Sequence, residues 1–589
     1  MPRITLALNS FVSGEFSAKM DGRIDFEKYS SATKTLENFL VSPQGAASRR
    51  VGTQFIGEVK DSTKKTRLIP FEFSTTQTYI LEFGDQYIRF FKDKGQILSG
   101  GSAYEIASPY LEAELFDIKF AQSADVMYLT HPNHDVRKLS RTGHTSWTLA
   151  TVSFTGSPSP GLSGSDNRPS CVSFFEQRLV FANTNNNPQS LWFSKAGDYE
   201  NFTTGTNAAD AMIYTIASNQ VNAIQYLKAV RTLVVGTTGG EFTVSADGTD
   251  ASITPTNVTI KRQSSFGSAG VDAIPAGNAI LFLQKAKRKI RELAYNFDSD
   301  GYVAPDLTIL NESVTASGIN QMAYQQEPDS IIWCVRDDGV LAGLTYQRAE
   351  NVTAWHRHIF GGAFGSGNAV CESAASISGT LTEDELWVIV KRTINGATKR
   401  YVECFSSFDF DETDATSFRF LDSHLTYSGS ATTTLSGLSH LEGQTVSILA
   451  DGSVHADKTV SSGSITLDRS VTKAVVGLSY DSVLQTMRIE GGAAEGTSQG
   501  KTKRISKVVL RLFETVGVKV GPSLTELETI PFRTTSSAMS SPVDTLLAGD
   551  KEIEFRDDYN SDGFIFIKQD QPLPCSILAI YPTLVTSDG

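Results

Sequence analysis

The chain has 589 residues, 40% hydrophobic and 20% charged, so it can bury a large core without disulfide or metal staples. Its net charge of −13 argues against a protein that coats nucleic acid through a basic surface, but is compatible with a conduit along which DNA slides without sticking. Cys171, Cys334, Cys371, Cys404 and Cys575 are far apart and form no CxxC pair, which suggests neither a zinc ribbon nor a disulfide framework; a reducing cytoplasmic site of synthesis fits them.

The N-terminal stretch MPRITLALNSFVSGEFS lacks the apolar core of a signal peptide. No stretch reaches the roughly 18 apolar residues of a membrane helix, so the expectation is a soluble chain with no membrane insertion. Glycine, serine and threonine are abundant and helix-length amphipathic runs are scarce, which points to a mainly β chain.

Residues 1–66 are polar and irregular. Apolar residues at Phe26, Tyr29, Leu36 and Phe39 predict one helix over Phe26–Phe39, ended by Ser42-Pro43-Gln44-Gly45. Arg49-Arg50 reads as an adjacent pair of solvated charges. The next signal is a hairpin in Tyr79–Phe91, with Gly84-Asp85 as its turn. One hairpin is marginal in water, and the rest of this region supplies more of them. Apolar runs centred near Ile80, Met127, Val180, Val234, Leu281, Ile332 and Trp387, expected to be the inner strands of their units, recur about every 50 residues. Each is followed by a second strand: Tyr87–Phe91, Val136–Leu139, Leu191–Ser194, Glu241–Val244, Ile290–Leu293, Leu341–Tyr346 and Tyr401–Phe405.

A period of this length predicts a β-propeller of about seven blades over 67–421. Trp147, Tyr199, Phe202 and Trp355 read as rings that fill blade edges. Pro109–Phe116 reads as a short helix between the first two units, capped by Ser108. After Asp422 the texture changes to short apolar runs among serine, threonine and glycine, which predicts a small β-domain over 422–500. Gly491–Gly500 reads as its linker, and 501–589 as a strand-rich C-terminal segment whose last strands pair with an earlier domain.

Candidate chemistry is sparse. Gly496-Thr497-Ser498-Gln499-Gly500-Lys501-Thr502 resembles a phosphate loop, but Glu495 stands where the first glycine belongs and no strand–loop–helix context surrounds it. Ser140–Trp147 is similar to the Asp-box of sialidase propellers, with Thr142 in place of the aspartate. His131-Pro132-Asn133-His134 has two imidazoles but no third ligand nearby in sequence, and is expected to be a turn. His356 and His358 flank Arg357 and are expected on alternate faces of a strand, unable to converge on one ion. Asp298-Ser299-Asp300-Gly301 and Asn560-Ser561-Asp562-Gly563 lack the EF-hand glutamate and read as Asx turns. The expectation is therefore no catalytic residue, no cofactor site and no metal site.

A series of segments carries a resemblance: Asn9–Ser17, Asp21-Gly22-Arg23, Leu36–Phe39, Pro43-Gln44-Gly45, Arg67–Phe73, Phe120–Leu129, Phe174–Phe181, Asp198–Phe202, Val234–Phe242, Asp337-Asp338-Gly339, Ala354–Arg357, Asp384–Arg392 and Gly500–Ile505. In this order, over most of its length, the chain resembles the tail nozzle proteins of short-tailed bacteriophages, also called tail tubular protein B or stabilisation proteins. The resemblance implies a propeller on a platform domain, with 1–66 and 501–589 as the platform's two parts. It implies a structural, non-enzymatic virion protein, made in the host cytoplasm and assembled as a homo-hexamer. The ring would form the channel and gate for genome ejection. It would contact a head-to-tail adaptor ring and tail fibres or spikes, and double-stranded DNA would pass through its lumen without sequence-specific binding. The alternative carried by the fold class alone is a propeller-type glycan hydrolase or a receptor-binding tail protein.

Overall fold

The computed structural model describes residues 3–587, apart from 218–219, 249–250, 299, 380–382, 412, 492–496 and 533–545. Its regular elements are strands joined by turns and a few short 3-10 segments. The fold is mainly β, and its centre is a set of seven four-stranded antiparallel units.

The first unit is Arg67–Ser74, Gln77–Gly84 and Tyr87–Lys92, with Gly95–Gln96 and Glu105–Ala107 sharing its outer edge. The next four units are 119–151, 171–215, 224–264 and 274–303. The sixth is Ile319–Gln325, Ile331–Arg336, Leu341–Gln347 and Val352–His358. The seventh comprises Val370–Ile377, Glu385–Ile394 and Ala397–Phe405, and its fourth strand is Thr53–Glu58, from far earlier in the chain. The ring closes where the first strand of the first unit meets that of the seventh: Leu68 N–H donates to Ser373 Oγ at 2.9 Å, and Phe91 packs against Trp387. These units are propeller blades.

Each apolar run found by periodicity is the second strand of its blade, not the innermost one. Val180, Val234, Leu281, Ile332 and Trp387 are almost wholly buried there. The innermost strand precedes the run and turns one face to the central channel, so its pattern is mixed, as in Lys119–Ser123. Water on one face and core on the other dilute the apolar signal of that strand. Trp147, Phe202 and Trp355 are buried packing rings.

Blades six and seven do not end at their outer edges. Val352–His358 pairs in parallel with Gly14–Glu15, and that sheet continues through Ala32–Glu37, Ser482–Thr486, Phe566–Gln569, Lys519–Gly521 and Glu528–Thr529. Thr53–Glu58 meets Asp422–Ser436, which pairs with Ser464–Leu478 in the small β-domain. A further sheet joins both chain ends: Phe39–Val41, Ala47–Arg49, Ser576–Ser587, Thr502–Thr515 and Leu547–Glu554, with Arg3–Thr5 beside Ser576–Ser587. Leu36, Phe39, Leu484, Ile505, Leu510, Ile567 and Ile580 fill one core beneath these two sheets.

Segment 1–66 is therefore divided between platform and propeller. In the same way, Ser482–Thr486 lies in the platform sheet although it falls within 422–500 in sequence. The helix expected over Phe26–Phe39 is instead a 3-10 turn, Glu27–Ser31, followed by the strand Ala32–Glu37. Thr33 and Thr35 are β-branched, and pairing with Ser482–Thr486 satisfies the backbone that a helix would have satisfied internally. The short helix expected at Pro109–Phe116 is a 3-10 segment over Glu112–Asp117, with Leu111 N–H donating to the Glu114 carboxylate at 2.9 Å.

Gly52 is where the chain passes from platform to blade seven. A Cβ there would lie 1.8 Å from the Leu421 carbonyl oxygen. Gly52→Ala is expected to cost about 1–3 kcal/mol, read as a lower urea midpoint; a wild-type midpoint would contradict the tight crossing.

Candidate functional site

Of the polar groups singled out by the sequence, the arginine pair and both histidine pairs lie at joints between parts of the fold. The first joint lies where platform, blades six and seven and the small β-domain meet. Arg49 and Arg50 are 4% and 0% exposed, the reverse of the solvated pair expected from their types. Arg50 makes a two-pronged ion pair with Asp422, at 2.8 and 2.7 Å, and Asp422 is itself fully buried. The Asp422 carboxylate also accepts from Gly361 N–H at 2.8 Å and Thr53 N–H at 3.2 Å. Burial opposes charge on both partners, but their mutual attraction outweighs it, holding Arg50 above its ordinary value and Asp422 below. The Arg50 guanidinium lies 3.8 Å from the Tyr480 ring centre. Arg49 donates to the backbone oxygens of Leu573 and Tyr480 at 3.0 and 2.9 Å, which ties the C-terminal strand to the same joint. Arg392 pairs with Glu403 nearby, and Thr53 Oγ1 donates to Glu403 at 2.6 Å.

His356 and His358 sit beside this joint, and the expectation of opposite faces is wrong. Residues two apart on a strand share a face, and the two rings meet: His356 Nδ1 lies 2.6 Å from His358 Nε2. Thr345 Oγ1 donates to the Val41 oxygen at 2.9 Å and lies 3.2 Å from His356 Nε2. The bonding pattern assigns a chain of donors, from His358 Nε2–H to His356 Nδ1, from His356 Nε2–H to Thr345, and from Thr345 to Val41. Both rings are then neutral. Burial agrees, pushing His356 down to about 3, and with the neighbouring His356 and Arg50 it drives His358 well down.

The second joint links blades one and two. His131 and His134 do lie at a strand turn, but a third ligand-type residue joins them. Glu114, from the segment between the blades, brings the three groups within 4.8 Å of one another. His134 Nε2 is 2.8 Å from Glu114 Oε2, and Asn133 N–H donates to His131 Nδ1 at 3.0 Å. Burial opposes the charge on Glu114. Hydrogen bonds from Leu111, His134 and Asn133 outweigh it and bring the carboxyl down to about 2. As the bonds stand, the cluster clasps two blades. Sequence spacing pairs the histidines but has no signal for Glu114.

A third polar cluster is local, in the loop that resembles a phosphate loop. Residues 492–496, which include Glu495 and Gly496, lie outside the described residues. The rest of the loop already holds an anion of its own: Glu490 accepts from Ser498 N–H at 2.8 Å, Thr497 Oγ1 at 2.9 Å and Ser498 Oγ at 3.1 Å. Asn560 forms the expected Asx turn, accepting from Asp562 N–H at 2.9 Å and Gly563 N–H at 2.7 Å. Of the other fragment, Ser299 lies outside the described residues, and Asp300 accepts from Tyr295 Oη at 2.7 Å. In the Asp-box-like segment, the Trp147 indole N–H donates to the His144 oxygen at 3.1 Å. All five cysteines are free and buried, and burial pushes Cys171 and Cys575 up to about 12.

Seven blades around a channel define the chain as a β-propeller protein. No protein-family model and no curated protein matches it. Among solved structures it is similar to the β-propeller domain of Cps50 (Swd1) from Myceliophteria thermophila, at 8% identity and a TM-score of 0.36, covering 60% of this chain and 99% of that one. It is also similar to the WD40 domain of Neurospora crassa Pan2, at 9% identity and a TM-score of 0.36, covering 62% and 96%. A further similarity is to BamB of Moraxella catarrhalis, at 7% identity and a TM-score of 0.32, covering 61% and 99%.

Proposed function

We propose that this chain is a structural subunit of the nozzle of a short phage tail, six copies of which surround a channel for the genome. What carries the reading is the ordered series of segments from Asn9–Ser17 to Gly500–Ile505 by which the chain resembles tail nozzle proteins. The architecture suits that role. A propeller is fused by continuous sheets to a platform built from both chain ends, so a load on one part is shared by the other. The net charge of −13 suits a wall past which phosphates slide, because a basic wall would hold them.

A closed ring needs a heterologous interface on each subunit. The test is to image the purified protein alone and with its head-to-tail adaptor. Six-fold rings with an open lumen are the expected result. A protein that stays monomeric in both conditions, with purified virions lacking the chain by mass spectrometry, overturns the reading.

A further inference from the structure

The propeller has a central cavity of its own, of about 510 Å³, lined by the innermost strands of all seven blades. That volume lies in the range of small-molecule sites, roughly 300–1,000 Å³. Its charged lining is Arg67, Lys119, Lys228 and Asp272: three cations and one carboxylate, in a protein whose net charge is −13.

The cations are not fully used. Lys119 Nζ donates to the Gly270 oxygen at 2.6 Å and lies 3.1 Å from Asp272, which accounts for one cation and the carboxylate. Arg67 is 7% exposed and spends Nη1 on the oxygens of Leu115 and Ile118, both at 2.8 Å, while its buried Nε has no partner. Lys228 Nζ makes no hydrogen bond or ion pair among the described residues. Burial lowers Lys228 and Lys119 lowers it further, with Asp272 pulling the other way. Burial also opposes the charge on Asp272, but Lys119, Lys228 and Arg67 together hold its carboxyl below the ordinary value. The four groups therefore share one electrostatic site that, counted by formal charge, carries two positive charges in excess. Such a site lacks a counter-charge, and charge-assisted donors to an oxyanion are among the strongest hydrogen bonds available.

We infer that the propeller cavity binds a small doubly charged oxyanion, a phosphate or a dicarboxylate, between Lys228 and Arg67. The inference does not depend on the nozzle reading, which concerns a channel between subunits. It is tested by titration calorimetry of the full chain with inorganic phosphate and with succinate, at an ionic strength fixed by sodium chloride. Saturable binding is expected. Lys228→Met should weaken it by about tenfold or more, and Asp272→Asn, which raises the positive excess, should tighten it. Phosphate alone binding identifies a phosphoryl ligand, and both binding identifies a general dianion site. Equal affinities in the wild type and Lys228→Met, or no saturable binding of either anion, overturn the inference. Lys228 Nζ makes no hydrogen bond or ion pair among the described residues and acts on Asp272 only through space, so Lys228→Met is expected to melt close to the wild type without anion. That comparison decides alone should Asp272→Asn, which also breaks the Lys119 pair, fail to fold.

Discussion

Replacing Arg50 by Ala is expected to destabilise the protein by about 3–5 kcal/mol, because it leaves a buried carboxylate without its counter-ion. Asp422 is 0% exposed and holds backbone amides of Thr53 and Gly361 as well as Arg50. Without the guanidinium, either the carboxyl takes up a proton or water enters the joint, and both disturb those amides. The damage should centre on the seam between blade seven and the small β-domain, where Thr53–Glu58 meets Asp422–Ser436. Urea unfolding measures the loss, and hydrogen exchange should show faster opening of those two strands. The double replacement Arg50→Met with Asp422→Leu is expected to be milder than either single change, since it strands no charge. A single Arg50→Ala variant as stable as the wild type would sink this account of the joint.

Acidification from pH 7 to pH 5 is expected to lower the stability by an amount on the order of 4 kcal/mol. His356, His424 and His440 are 0%, 1% and 9% exposed, and burial depresses them to about 3, 4 and 4. A histidine depressed in the folded state contributes stability above its unfolded value of 6.5, and that stability is lost as the pH falls toward the folded value. At pH 5 each of the three costs about 2 kcal/mol, because the unfolded chain takes the proton that the folded chain refuses. Glu82 works the other way. Burial raises it to about 7, so its folded form gains the proton first and returns about 2 kcal/mol. His131 and His358 add to the loss, and Asp329, pushed up to about 6 by burial and Glu327, subtracts from it. Thermal midpoints at the two pH values and fixed ionic strength measure the sum. His356→Gln should remove its own share of the slope, whereas a midpoint unchanged between pH 7 and pH 5 would contradict the neutral buried rings.

The propeller was legible because its signals are local. A hairpin such as Gln77–Gly84 with Tyr87–Lys92 needs only neighbouring residues: apolar runs, and a turn at Gly84–Gln86. Seven such signals at one period show the array before any strand is paired. Buried rings such as Trp147 and Trp355 follow from the same pattern, since a large apolar side chain in a strand has few places to go but the core.

The joints were not legible, because their partners are remote. Arg50 and Asp422 are separated by 372 positions, and Thr53 and Glu403 by 350. Nothing in Arg49-Arg50 distinguishes a buried pair from a solvated one until the fourth place in blade seven is found to be filled by Thr53–Glu58. Glu114 likewise reaches His134 only when blade one packs against blade two. The faces of His356 and His358 were open to the sequence, since a strand's two-residue period already puts them together; their neutral state was not, because it depends on a burial that only the closed ring provides. Local chain chemistry thus determined the strands, turns and period of this protein. Only the tertiary structure decided which charges are paired, which rings stay neutral and which cations face the channel, because burial and long-range pairing are set by how the ring closes on its platform.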